Sequence, residues 1–245
     1  MTAAAPTILA TSSGLRRGRL GPYDVSPGPA HDFAAELSGG GETTRFCFLH
    51  QAMGDDAGRI GETYAAFAGT RYRASHLQLF PMPNHDDIRG HLLQQDVIWV
   101  EGGSVANLVA VWKVHGLDEI LHEAWLAGIV LAGCSAGSIC WHTGGSTDSF
   151  GPDLRAFTGG LGWLPYSNGV HYDNEPGRRP AMHRFIAEGT LPDGYATDDG
   201  AGLLYRGTEL VEVVADREGA SGYRLTRAAD GSVTETQLPT RVLRS

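Results

Sequence analysis

Five short apolar runs, at residues 7–11, 46–50, 75–80, 97–100 and 129–133, alternate with stretches at 59–68, 86–95, 105–114 and 118–127. In the longer stretches apolar residues recur at i, i+3 and i+4, as on a helix lying against a sheet. A chain that switches repeatedly between these two periods has few ways to bury both. The alternation predicts an α/β fold with a mostly parallel central sheet flanked by helices. The segment 12–44 is rich in Gly and Pro and weak in periodicity, and is expected to be a long loop serving as a lid or edge elaboration. Beyond about residue 190, the segments 202–206, 210–214, 222–226 and 232–237 are predicted as short strands joined by turns such as Asp230-Gly231. They are expected to form an antiparallel C-terminal extension packed on the main sheet. No repeat, low-complexity tract or linker interrupts the chain, so one domain over 1–245 is expected, with about 190–245 as its β-rich part.

The 245 residues, 42% hydrophobic and 19% charged, have the balance of an ordinary globular protein. A net charge of -9 argues against nucleic acid or an anionic membrane as partner, since both recruit basic surfaces. The three cysteines, Cys47, Cys134 and Cys140, form no disulfide or zinc pattern. No apolar run approaches the ~20 residues of a membrane span. The start, Met1 to Pro6, lacks the charged and apolar regions of a secretory leader, so a cytoplasmic location is expected.

The run at 129–133 leads into Gly133-Cys134-Ser135-Ala136-Gly137, and the residues from Ser138 to His142 can start a helix. A serine on so sharp a strand-to-helix turn needs small neighbours, and the turn lifts its hydroxyl clear of the sheet edge. Ser135 is therefore a candidate nucleophile, and the backbone N–H of Ala136 a candidate oxyanion donor. The plain alternative is a tight turn with no chemistry. Cys134 is off-centre in the motif and fits a small buried side chain. A second glycine turn, Glu101-Gly102-Gly103-Ser104, ends the 97–100 run at the same edge of a parallel sheet, where ligands bind. The N–H of Gly103 is the candidate second donor. Neither a P-loop nor the dinucleotide glycine spacing is present.

A serine nucleophile needs a base, and the base a carboxylate to orient it. Of ten histidines, His91, His115 and His122 fall in helical stretches, and His31, His76 and His85 in or beside loops. His50 ends a strand at the active edge and is a candidate pocket residue. His142 is expected two turns along the nucleophile's helix, too far to act. His171, closing the predicted strand from Pro165, is the leading base, with His183 second. For the acid, Asp198 and Asp199 precede the 201–205 strand, and Asp173 and Asp153 are alternatives.

These motifs, Val100-Glu101-Gly102-Gly103, the turn around Ser135 and His171-Tyr172-Asp173, together resemble peptidase E, the aspartyl dipeptidase family that includes the cyanophycinases, over roughly residues 46–214. The resemblance implies a three-layer, flavodoxin-like sandwich similar to class I glutamine amidotransferases, a Ser-His-Glu type triad and no metal or other cofactor. It puts Ser135 on the nucleophile, His171 on the base, and Gly103 and Ala136 on the oxyanion donors. Asp199 falls on the Glu position, where a shorter carboxylate demands closer backbone approach or a bridging water. Two departures stand out. Ser104 replaces the Asn of the family's Gly-Gly-Gly-Asn-Thr loop, and the Arg that reads a substrate aspartate has only Arg178, Arg179 and Arg184 nearby. Ser104, Arg178 and Arg179 are the candidate substrate-binding residues, against a solvated loop as the alternative for the Arg pair.

The implied activity is serine-type hydrolysis of short peptides near a free N-terminus, as a dipeptidase or N-terminal aminoacyl peptidase including Asp-Xaa. The expected partner is a small peptide substrate, with the chain a monomer or homodimer. An α/β-hydrolase esterase shares the serine turn, but its His comes late in the chain, and here none follows His183. A non-catalytic amidotransferase-like binding protein is the other rival.

Overall fold

The computed structural model describes residues 5–244. Its main sheet has eight strands, in the order Thr240–Val242, Glu209–Ala215, Ala201–Arg206, Thr7–Thr11, Val130–Cys134, Val97–Val100, Arg45–Leu49 and Arg73–Leu77. The last five are mutually parallel. All five predicted runs are therefore strands, shifted by three residues at most.

Strand residues alternate between two cores, as the two-residue period requires. Phe46, Phe48, Trp99, Val130 and Ala132 face the helices Pro29–Leu37 and Ala57–Phe67. Cys47, Leu49, Ile98, Val100 and Leu131 face Val105–His115 and Leu117–Leu126, through Leu108, Trp112, Leu121 and Trp125. Both sheet faces are dry, which is why these strands read as continuous apolar runs. The result is a three-layer α/β sandwich. The helix at 105 starts where Ser104 Oγ accepts the Asn107 N–H at 3.2 Å, and it ends at Gly116 in a left-handed conformation (φ 64°).

Three expectations need correction. The 12–44 segment is not all loop: it holds a two-stranded ribbon, Arg16–Arg17 with Val25–Ser26, and the helix Pro29–Leu37. His31 lies in that helix, fully buried and stacked on Trp99 with centroids 3.9 Å apart, and burial lowers its pKa to about 3.

The C-terminal strands do not form one extension. The hairpin Ala201–Arg206/Glu209–Ala215 continues the main sheet beside Thr7–Thr11. The hairpin Gly222–Arg227/Val233–Gln237 joins a second, six-stranded sheet through Gly194–Thr197. That sheet also contains Leu164–Gly169, His142–Thr147 and Arg155–Phe157.

The third correction concerns His142. The helix after Ser135 is only Ala136–Ile139, so His142 opens a strand instead of continuing the helix. It is buried, with Nδ1 2.9 Å from the Ser138 carbonyl and Nε2 3.1 Å from Tyr205 Oη. Burial lowers its pKa to about 4.

Candidate active site

The site lies where the two sheets meet. Thr11 and Cys134 are paired at the carboxyl ends of parallel strands, and the Ser135 N–H donates to the Thr11 carbonyl at 3.0 Å. Ser12 and Ser135 thus leave the main sheet side by side. In the second sheet, Gly169 pairs with Ala196, so the chain beyond each strand end delivers His171 and Asp199 to one place. Ser12 joins the sheets. Its Oγ accepts the His171 N–H at 3.2 Å and lies 2.7 Å from Thr197 Oγ1.

Ser135 sits at φ 55°, ψ -112°, off the favourable regions for an L-residue. Such a conformation costs about 1–3 kcal/mol and persists only where its surroundings enforce it. Here the enforcement is steric. A Cβ on Gly137 would stand 2.1 Å from the Val100 carbonyl oxygen, and one on Gly133 2.5 Å from the same atom. The two flanking glycines therefore let the turn press against the neighbouring strand. Gly103, at φ 133°, is held likewise, since a Cβ there would lie 2.4 Å from the Ala52 carbonyl oxygen. Among the described residues, the N–H groups of Gly103 and Ala136 have no acceptor.

Ser135 and His171 line one cavity of about 320 Å³, together with Gly103, Ser104, Asp148, Ser149, Glu175 and Arg178. His171 Nδ1 lies 2.5 Å from Asp199 Oδ1, which leaves Nε2 as the ring nitrogen open to the cavity chemistry. The shorter aspartate needs no bridging water. Of the alternatives, Asp198 turns away and accepts from the Ser221 N–H and the Tyr223 hydroxyl. Asp173 accepts the Asp199 N–H at 2.8 Å, and Asp153 lines a neighbouring groove. His183 is bound to Glu235, at 2.8 Å, and does not line this cavity.

The two arginines separate. Both start the helix Arg178–Ala187, not a loop, and adjacent helical positions point to different sides. Arg178 is buried in the cavity wall, where it donates to Glu175 Oε2 at 2.6 Å and to the Ser146 carbonyl at 2.8 Å, with Asp148 3.7 Å away. Arg179 leaves the site. Its guanidinium lies over the Tyr172 and Tyr223 rings at 4.6 and 4.7 Å and pairs with Glu235 at 3.1 Å. As a residue of the serine cavity, Arg179 is thus a correction. Arg184 faces a groove of about 710 Å³ that adjoins the cavity through Asp148 and Glu175.

A further cavity, about 260 Å³, lies on the other side of Gly102, lined by His50, Arg17, Arg59, Glu101 and Cys134 among others. Burial pushes the Glu101 carboxyl up to about 7, against the lowering pull of the Cys134 thiol and of Arg59 and Arg17. Cys134 Sγ lies 3.7 Å from Glu101 Oε2. Burial first, and the Glu101 charge second, hold that thiol well above its ordinary range, so it is no rival nucleophile. Burial also lowers His50, to about 4.

Sequence reasoning missed Asp148, Glu175, Asn174, Ser12 and Arg217. Asn174 and Glu175 follow directly on the His171 motif, and Ser12 follows the strand beside the serine turn, so position was an available signal for these three. Nothing local marks Asp148 or Arg217.

The sequence profile of Peptidase family S51 matches residues 28–213. The protein of Bacillus subtilis (strain 168) named "Uncharacterized peptidase YgaJ" is 44% identical over 204 residues, covering 82% of this chain and 86% of that one. In fold, the chain resembles a peptidase from an acI-B1 actinobacterium (TM-score 0.66, 19% identity, 96% and 95% of the two chains covered). It also resembles a putative peptidase E protein from Listeria monocytogenes EGD-e (TM-score 0.58, 16% identity, 96% and 100% covered). Across most of its length, then, this chain belongs to peptidase family S51 and is a serine-type peptidase.

Proposed function

We propose that the protein cleaves short peptides next to a free N-terminus through a Ser135-His171-Asp199 triad and an acyl-enzyme. The observation that carries this reading is a strained serine sharing one cavity with an imidazole whose far nitrogen is held by a carboxylate. Asp199 fixes the tautomer in which Nδ1 carries the proton and Nε2 accepts. His171 Nε2 takes the Ser135 proton as Oγ attacks the scissile carbonyl. The unpartnered N–H groups of Gly103 and Ala136 receive the developing oxyanion, an interaction worth about 3–4 kcal/mol per donor in comparable sites. The imidazolium then protonates the leaving amine, and water, activated by the same imidazole, releases the acyl group.

The cavity charge favours an ammonium over an acidic side chain. Arg178 is already engaged by Glu175 and approached by Asp148, so one cation faces two carboxylates there. A substrate carboxylate has to displace one of them, whereas a free α-ammonium adds to them. A cavity of about 320 Å³ suits a residue or two. Ser104, occupied as a helix cap, lines the cavity.

The test is a panel of dipeptides and aminoacyl amides with Asp, Glu, Met and isoaspartyl N-terminal residues, each beside its N-acetylated form. Free amines should be cleaved, acetylated ones spared, and Ser135→Ala should abolish turnover. Turnover retained by Ser135→Ala refutes the assignment, and cleavage of acetylated peptides refutes the N-terminal reading.

A further inference from the structure

The Asp199 side chain is about one-third exposed (32%) and His171 one-quarter (25%), so packing alone does not hold either in place. Three contacts besides His171 converge on Asp199 instead. Its Oδ2 accepts from Asn174 Nδ2 at 2.8 Å. Its N–H donates to Asp173 Oδ1 at 2.8 Å, and its carbonyl accepts from Arg217 Nε at 3.1 Å. Arg217 Nη2 in turn donates to Asp173 Oδ2 at 2.7 Å. One ion pair therefore grips both polar groups of the Asp199 backbone, while Asn174 fills the carboxylate oxygen that His171 does not use.

A carboxylate one methylene shorter than glutamate reaches an imidazole only if its backbone is brought in and kept there. We propose that Asp173, Asn174 and Arg217 are positioning residues that hold Asp199 in contact with His171 and so set the reactivity of Ser135. This rests on the triad reading above. The clamp is local to the turn between Thr197 and Ala201, and Arg217 comes from the turn after the strand Glu209–Ala215, so the alignment depends on how that hairpin is placed. Burial alone would raise the Asp173 carboxyl. The Asp199 N–H and Arg217 outweigh it and hold Asp173 below its ordinary value, so the pair stays charged at neutral pH. Supporting groups of this kind fix reacting atoms whose displacement by about 1 Å can cost 10²-fold in rate.

The experiment measures the rate at which a fluorophosphonate labels Ser135, across pH 5–9, in wild type, Asn174→Ala, Arg217→Met and Arg217→Lys, with thermal midpoints alongside. The probe needs no knowledge of the substrate. Asn174→Ala and Arg217→Met should slow labelling about 10- to 100-fold. Arg217→Lys, which keeps the charge and one donor, should recover part of the rate. Should Arg217→Met fail to fold, Asn174→Ala, which removes one surface hydrogen bond, still decides. Wild-type rates in the folded variants, or an Arg217→Lys protein no faster than Arg217→Met, overturn the clamp while leaving the triad standing. A wild-type protein that does not label, or labels equally after His171→Ala, overturns both.

Discussion

Replacing Glu101 by Gln should make the protein more stable in alkali than the parent, although it deletes a charge and adds no contact. Glu101 stands at the end of the strand Val97–Val100, with Oε1 buried and Oε2 facing the Cys134 thiol. Burial raises its pKa from the ordinary 4.5 to about 7. Below about pH 4.5 the carboxyl is neutral in both folded and unfolded chains, so it costs nothing. Between 4.5 and 7 the unfolded chain gives up the proton and the folded one keeps it, so stability falls as pH rises. Above 7 the whole penalty is present, about 3 kcal/mol for a shift of this size. Glutamine mimics the protonated acid and does not titrate. The difference in unfolding free energy between Glu101→Gln and wild type should therefore widen by about 2–3 kcal/mol between pH 5 and pH 8. In a chain of this length that is roughly 5–10 °C in Tm. Urea melts of both proteins at half-unit pH steps measure it, and other titrating groups cancel in the difference. A gap constant across that range refutes the claim that Glu101 is held neutral by burial.

Acid should act in the opposite direction through His31, His50 and His142, buried and lowered to about 3, 4 and 4. Their contribution is complete above about pH 6.5 and lost as pH falls toward 4, so urea midpoints should drop steeply below pH 6.5, and flat midpoints contradict this. Gly137→Ala places a Cβ 2.1 Å from the Val100 carbonyl oxygen and should cost about 1–3 kcal/mol in stability while slowing Ser135 labelling, because Ala136 moves with it; an unchanged urea midpoint tells against the steric account. Asp199→Asn should leave Tm unaltered yet lower kcat by about 10⁴, as expected when the base is held in the wrong tautomer, and a loss under tenfold removes Asp199 from the triad.

What was legible in the sequence follows from which segments bury apolar side chains on both faces. Val97-Ile98-Trp99-Val100 has no reading other than an interior strand, and all four residues are fully buried. The strands His142–Thr147, Leu164–Gly169 and Gly194–Thr197 are built largely from Gly, Ser, Thr and Asn, so the second sheet carries little apolar signature. The helix Pro29–Leu37 hid behind its flanks: Gly28 at its start, Pro29 within it, and a histidine that looked polar but stacks inside. The serine turn was readable because its chemistry is local: glycines at both sides, an apolar strand before. His171 was placed by its position at a strand end and Asp199 by the family resemblance, and the parallel register of the second sheet brings them together. Arg178 and Arg179 could not be told apart until the helix was known, since one helical step turns one into the cavity and the other onto Tyr172 and Tyr223. Arg217 lies 18 residues beyond the carbonyl it holds, a pairing that only the folded hairpin creates.

The most direct measurement is peptide mapping by mass spectrometry after fluorophosphonate treatment of the wild-type and His171→Ala proteins. One adduct, on Ser135, that is lost or slowed a thousandfold or more without the imidazole (the scale set by single triad deletions) is the predicted outcome. An unmodified Ser135, or one that reacts equally well in both proteins, contradicts the account at its root.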